Sequence, residues 1–250
     1  MKTIIQNGIG FWPPDFAVRP LNLLIYGDTI QQVSEDQISA CTDAQFFDVQ
    51  GKLVIPGLVD GHTHLAQSFG RGIYDNLHLT DWLVARSWDR PLYDEEIYAA
   101  SLLGAVEALR TGTTTVAEMT TVGDLGEIVI QAISDGGLRA VVCTPMGDHQ
   151  EGRKRSLTRT ASQALEAAEK TFKNWHGKAD GRITMRISPV GLPACTEELM
   201  RGSRALADQL GVGLHTHCCE GETKTANSYE RFGISEVEVL QRCGVLGTDT

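Results

Sequence analysis

The sequence predicts an α/β fold: a (β/α)8 TIM-type barrel of parallel strands wrapped by helices, preceded by a small all-β segment. Three observations predict it. Past Pro56, short apolar strands alternate five times with longer amphipathic stretches of helical period, the pattern of a parallel sheet with right-handed crossovers. The strands are apolar on both faces, as strands between a barrel interior and a helical jacket must be. Two of them end in histidine pairs, at the strand ends where barrel proteins place their chemistry.

Residues 1–54 read as β structure. LNLLIYGDTIQQV (21–33) makes two short strands around a Gly-Asp turn, and QFFDVQGKLVI (45–55) makes a second pair around Gln50-Gly51. The repeating units occupy residues 55–250. LVIPGLVDGHTH leads to the helix YDEEIYAASLLGAVEALRTG, and GTTTVAEM to DLGEIVIQAISDGG. LRAVVCTP leads to SLTRTASQALEAAEKTFKNWHG, and RITMRISPVG to CTEELMRGSRALADQLG. VGLHTHCCE leads to NSYERFGISEVEVLQRCG, read as one helix. In the fourth of these helices Leu199, Ser203, Leu206 and Leu210 share a face, and Gly211 stands where a C-cap belongs. Five units do not close an eight-stranded barrel. The pattern therefore leaves an open α/β sheet or part of a larger barrel.

Composition excludes several classes of partner. The 250 residues are 42% hydrophobic and 22% charged, with a formal charge of -10. That balance argues against a phosphate backbone or an anionic membrane surface as the partner. The opening MKTIIQNGIGFWPP is too short and polar for a signal peptide, and no apolar run approaches the roughly 18 residues of a membrane span. The six cysteines show no CxxC spacing, so free thiols in a reducing cytoplasm are expected.

The first strand ends in DGHTH. Residues i and i+2 of a strand point to the same face, so His62 and His64 present two imidazoles side by side. Two neutral imidazoles can share a metal ion. The fifth strand ends in LHTHCCE, where His215 and His217 share a face by the same period and Glu220 follows. A carboxylate near the ion can stay off the metal and move protons. Adjacent strand residues point to opposite faces, so neither Cys218 nor Cys219 is expected to join the metal. Asp60 is expected to orient backbone or a histidine.

PGLVDGHTHL, ALRTGTTTVAEM and ALADQLGVGLHTHCCE together resemble the metal-dependent amidohydrolase superfamily. The resemblance is greatest to the branch of guanine and cytosine deaminases, methylthioadenosine/S-adenosylhomocysteine deaminases and s-triazine hydrolases. It covers essentially the whole chain. It implies that residues 1–54 are the N-terminal part of a small β-sandwich domain and that residues 55–250 are the first five βα units of the barrel. It implies His62, His64 and His217 as ligands of one divalent ion, zinc before iron(II), with His215 an interior neighbour. Glu220 would be the catalytic proton shuttle. The implied reaction is hydrolytic deamination of an amino-substituted N-heterocycle of purine, pyrimidine, pterin or s-triazine type. The implied partners are that small molecule and a second copy in a homodimer.

The sequence departs from the family pattern in three places. Binuclear members carry a lysine at the end of the fourth strand; RITMRISPVG has none, and Lys178 lies before it. This favours one metal and weighs against the alternative of a cyclic-amide amidohydrolase. That strand also ends without the histidine of nucleoside-directed relatives. The family further needs a histidine after the sixth strand and an aspartate after the eighth, and GVLGTDT stands where the sixth strand is due. The expectation is a chain truncated before strand 6, with a non-catalytic relic that only binds metal or ligand as the alternative. In the segment HLAQSFGRGIYDNLHLTDWL after the first strand, Gln67 and Trp82 are the candidate substrate contacts: an amide for a ring edge and a flat face for stacking.

Overall fold

The computed structural model describes residues 1–11, 15, 17–39, 43–85, 92–120, 126–149 and 159–250. Cys41, and the first residues of two expected helices (124–125 and 156–158), lie outside the described residues. The chain forms two compact units, Met1–Gly57 and Leu58–Thr250.

The first unit is one four-stranded mixed sheet in the order β3-β2-β1-β4. Strand β1 (Lys2–Phe11) pairs antiparallel with β2 (Val18–Tyr26), and β2 with β3 (Thr29–Ser34) across the expected Gly27-Asp28 turn. Strand β4 (Ala44–Asp48) runs parallel to β1. One expectation is corrected here. The segments on either side of Gln50-Gly51 do not pair with each other. Both lie along β1, which bonds β4 and then meets Leu53 in a parallel bridge at Ile9. The edge of β1 offers unpaired backbone groups for the whole length of both segments, and a two-residue hairpin would leave them unmet. A bulge at Asn7 (φ 65°) divides the two stretches. The buried Asn22 side chain holds it, accepting the Asn7 N–H at 2.9 Å.

The second unit is a parallel sheet in chain order, β5-β6-β7-β8. Its strands are β5 (Leu58–Thr63), β6 (Thr113–Met119), β7 (Arg139–Met146) and β8 (Ile183–Pro189). Between them run α1 (Leu79–Ala85), α2 (Asp94–Arg110), α3 (Gly126–Gly136) and α4 (Ala161–Trp175). After β8 come α5 (Glu197–Leu210), α6 (Glu222–Phe232) and α7 (Glu236–Arg242). Helix α2 opens with Asp94, Glu95 and Glu96 and closes with Arg110, each charge favourable to the helix dipole. Helix α5 buries Leu199, Ser203 and Leu206 on the expected face and ends at Gly211 with φ 68°.

Two expected elements differ. The fifth strand is reduced to one parallel bridge, Leu214 to Ile187, although His215 N–H still reaches the Ile187 carbonyl at 3.0 Å. The expected single helix over 227–244 is two helices. Gly233 takes φ 74° and ends α6, and the Ser235 hydroxyl accepts the Glu238 N–H and starts α7. A serine three residues before a glutamate is a capping box, which overrides the continuous helical period.

Two hydrophobic clusters flank the sheet. One gathers Ile97, Val129, Ile130, Ile133 and Leu138 against Val116, Ala140 and Val142. The other gathers Leu199, Met200, Leu206, Leu214, Val239 and Leu240 against Ile187. Side chains of this size each contribute roughly 1.5–3 kcal/mol on full burial. The clusters hold Leu65, directly after His64, and Leu214, directly before His215.

Candidate metal centre

Strand β5 delivers the first two histidines. Its pairing with β6 is irregular between Asp60 and Thr63, and the Asp60 carboxylate accepts the His62 N–H at 3.1 Å. Asp60 thus orients backbone, as its position suggested. Directly after His64, the Leu65 N–H donates to Glu118 Oε2 on β6 at 2.8 Å. Gly104 of α2 lets that turn sit close: a Cβ there would stand 2.8 Å from Ser68 Oγ and 3.0 Å from Leu65 Cδ2. Gly191, beyond β8, does the same for the other ligand strand. It has φ 144°, and a Cβ on it would meet the His217 carbonyl at 3.2 Å.

These supports bring three imidazoles together. Ring centroids lie 4.8 Å apart for His62 and His64, 5.0 Å for His62 and His217, and 5.6 Å for His64 and His217. One nitrogen from each ring lies within 4.8 Å of the others. The backbone sets the tautomers. His64 Nδ1 lies 2.5 Å from the Met119 carbonyl and His217 Nδ1 2.8 Å from the Val190 carbonyl. A carbonyl only accepts, so both Nδ1 atoms carry the proton, which puts the lone pair of each ring on Nε2. Carbonyls at the ends of neighbouring strands are the usual outer support of histidine ligands. His62 Nδ1 stands 2.8 Å from His215 Nε2, and the two rings stack. His215 is therefore the neighbour of a candidate ligand, placed behind it.

Electrostatics favour the neutral form of the two histidines after Leu214. Burial first, then the surrounding imidazoles, push His215 down to about 4. Burial also lowers His217, while its bond to the Val190 carbonyl and the charge of Glu220 pull the other way. Neutral imidazole is the form that binds a metal, so the donor set fits a divalent ion.

The other expected site residues lie around this centre. Glu220 is near enough for its charge to act on His217, and its carboxylate is ion-paired with Lys224 one turn into α6. Gln67 stands on the turn after His64, and its side-chain nitrogen is buried without a hydrogen-bond partner. Trp82 lies half-buried on α1. Leu79 at the start of α1 approaches within 3.7 Å of a Cβ placed on Gly221, so α1 lies against the loop that carries Glu220.

Sequence reasoning missed two residues. Glu118 is fully buried, Oε2 on the Leu65 amide and Oε1 unpartnered. Burial pushes it up to about 8; the Leu65 bond opposes this and Asp60 adds to it. Its signal was a carboxylate inside an apolar strand, TTTVAEM. Lys224 was marked only by its spacing of four from Glu220.

Residues 53–250 match the amidohydrolase family. A 5'-deoxyadenosine deaminase of Methanothermobacter thermautotrophicus is 34% identical over 236 residues, covering 94% of this chain and 53% of that protein. A 5-methylthioadenosine/S-adenosylhomocysteine deaminase of Moorella thermoacetica is 34% identical over 244 residues, covering 93% and 54%. The chain spans about half the length of the curated relatives it matches. Among solved structures, an atrazine chlorohydrolase of Arthrobacter aurescens complexed with zinc superposes with a TM-score of 0.86 at 22% identity, covering 97% of this chain and 58% of that one. That likeness shows a TIM-barrel-type α/β fold. With the family match covering the whole second unit, the chain belongs to the amidohydrolase family.

Proposed function

We propose that His62, His64 and His217 hold one zinc ion in a hydrolase that deaminates an amino-substituted N-heterocycle, with a 6-aminopurine nucleoside as the first substrate to test. The convergence of three imidazoles, two with Nδ1 tied to strand-end carbonyls, carries this reading. The relatives named as deaminases of adenosine-type compounds support the substrate class. The absence of lysine from β8 supports a single ion over a binuclear cyclic-amide site.

A bound zinc ion lowers the pKa of water toward 7 and makes hydroxide available at neutral pH. The chain's own residues do the rest. The three imidazoles would each supply a ring-nitrogen lone pair, and His215 behind His62 fixes that ring's orientation. Glu220 would carry one proton of the water to the ring nitrogen beside the reacting carbon and the second, from the added hydroxyl, to the departing amine, which leaves as ammonia. Lys224 positions that carboxylate by its ion pair. Gln67 offers its unpartnered amide to a ring edge, and Trp82 offers a flat face. The five described cysteines are all free thiols, which supports a reducing cytoplasm as the setting. Among the described residues no helix is long and apolar enough to cross a membrane.

The test pairs metal content with ammonia release. His217→Ala should lose the stoichiometric zinc and all turnover of 5'-deoxyadenosine. Glu220→Gln should keep the zinc and lose turnover by about 100-fold or more. Unchanged zinc content in a His62→Ala/His64→Ala/His217→Ala triple variant would overturn the metal centre. Wild-type turnover in Glu220→Gln would overturn the role of the carboxylate.

A further inference from the structure

Just past His217 the chain leaves strand geometry. Cys219 takes φ 54°, a left-handed conformation that a side chain other than glycine rarely adopts. In a strand, Cys218 and Cys219 would face apart. Here the two thiols stand on one side, Sγ to Sγ 3.5 Å. Glu236, the first residue of α7, completes the group. It is 2% exposed; its Oε2 accepts the Cys219 N–H at 3.0 Å, and its Oε1 is buried with no partner. Both sulfurs and a Glu236 oxygen lie within 4.8 Å of one another. Cys219 is exposed, so the group is open to solvent on one side.

Three arguments point to a cation. An unpaired buried carboxylate oxygen carries a desolvation penalty that a metal bond removes. Thiolate bonds of about 2.3 Å in a tetrahedral shell put two sulfurs roughly 3.8 Å apart, close to the spacing found. A disulfide does not fit as well. Adjacent Cα atoms stand about 3.8 Å apart, short of the roughly 4.4–6.8 Å that disulfides usually span.

We propose that Cys218, Cys219 and Glu236 form a second cation site, separate from the histidines, for a thiophilic divalent ion of the zinc and cadmium class. The entering ion forms two metal–sulfur bonds and one metal–oxygen bond. Two S–H bonds break, two protons leave to solvent, and no electrons are exchanged. Magnesium and calcium, which prefer an all-oxygen shell, are excluded by the two sulfurs. A fourth position is left for water, as in open zinc sites. The ion fastens the loop bearing His217 and Glu220 to α7.

The probe is cadmium, added to the full chain already carrying one equivalent of zinc. The readout is the ultraviolet thiolate-to-cadmium charge-transfer band. That band reports sulfur alone, so it is independent of whether the histidines hold an ion. It should saturate at one added equivalent and be absent in Cys218→Ser/Cys219→Ser. Cys219→Ser alone, at the exposed position, should halve it, which covers a double variant that fails to fold. Glu236→Gln should weaken cadmium binding by roughly tenfold to a hundredfold. No band in the wild type, the same band in the double variant, or undiminished affinity in Glu236→Gln each overturns the site.

Discussion

Glu118 couples the ligand strand to pH. Its carboxyl is fully buried and pushed up to about 8 from an ordinary 4.5. Below about pH 4.5 it is protonated in both folded and unfolded chains. Between there and about pH 8 the unfolded chain ionises while the folded chain keeps its proton. The folded state then binds more protons, so stability falls as pH rises through that window and the loss is complete above it. Glu118→Gln keeps an acceptor for the Leu65 N–H and cannot ionise. With a chelator present, its melting temperature should gain on the wild type by several degrees between about pH 4 and about pH 9. A constant difference across that range would show that Glu118 does not titrate with folding. His62 and His64 were legible as a pair because period 2 puts them on one face, whereas the choice of His217 over His215 as the third candidate ligand came from the family resemblance. Glu118 was not, because nothing local says that one carboxylate of an apolar strand will turn to a neighbouring backbone amide. The meeting of Cys218 and Cys219 was hidden by the same period 2, since the strand it assumes ends before Cys219.

At the scale of elements, amphipathic patterns were reliable where packing and capping agreed. Helix α5 carries its buried face, N-cap and terminal glycine all in local sequence. Leu199, wholly buried on that face, should cost about 2–5 kcal/mol when cut to alanine, readable as a lowered midpoint in urea. A cost near zero would mean that α5 does not pack as described. Sequence failed where pairing depends on which neighbour is at hand. The residues around Gln50-Gly51 look like a hairpin, yet both arms lie along β1. The VGLHTH segment has strand chemistry, yet among the described residues only β8 is beside it, and only one bridge forms.

At the scale of the molecule, alternation of strand and helix identified the parallel sheet and its order. What alternation cannot supply is closure. Strand β5 lies at an edge of the sheet, with Leu58 52% and Val59 71% exposed. An apolar strand edge with free backbone groups recruits further strands. Val59→Lys should therefore reduce concentration-dependent association of this chain in light scattering, with the zinc content unchanged. Association equal to that of the wild type would place the contact elsewhere.

The histidine triad has a further meaning in terms of chain topology. His64 and His217 lie far apart in sequence, much like His62 and His215 with their separation of 153 residues. An ion held by all three histidines is a cross-link closing a loop of about that length. Cross-linking a loop that long withdraws from the unfolded ensemble an entropy worth several kcal/mol, in the manner of a disulfide. Unlike a disulfide, this link exists only when the ends of β5, β6 and β8 are in register, because Met119 and Val190 must offer their carbonyls to the rings. An ion held there would therefore select one strand alignment over its slipped competitors, and withdrawing it would loosen the order of the strands as well as empty the site.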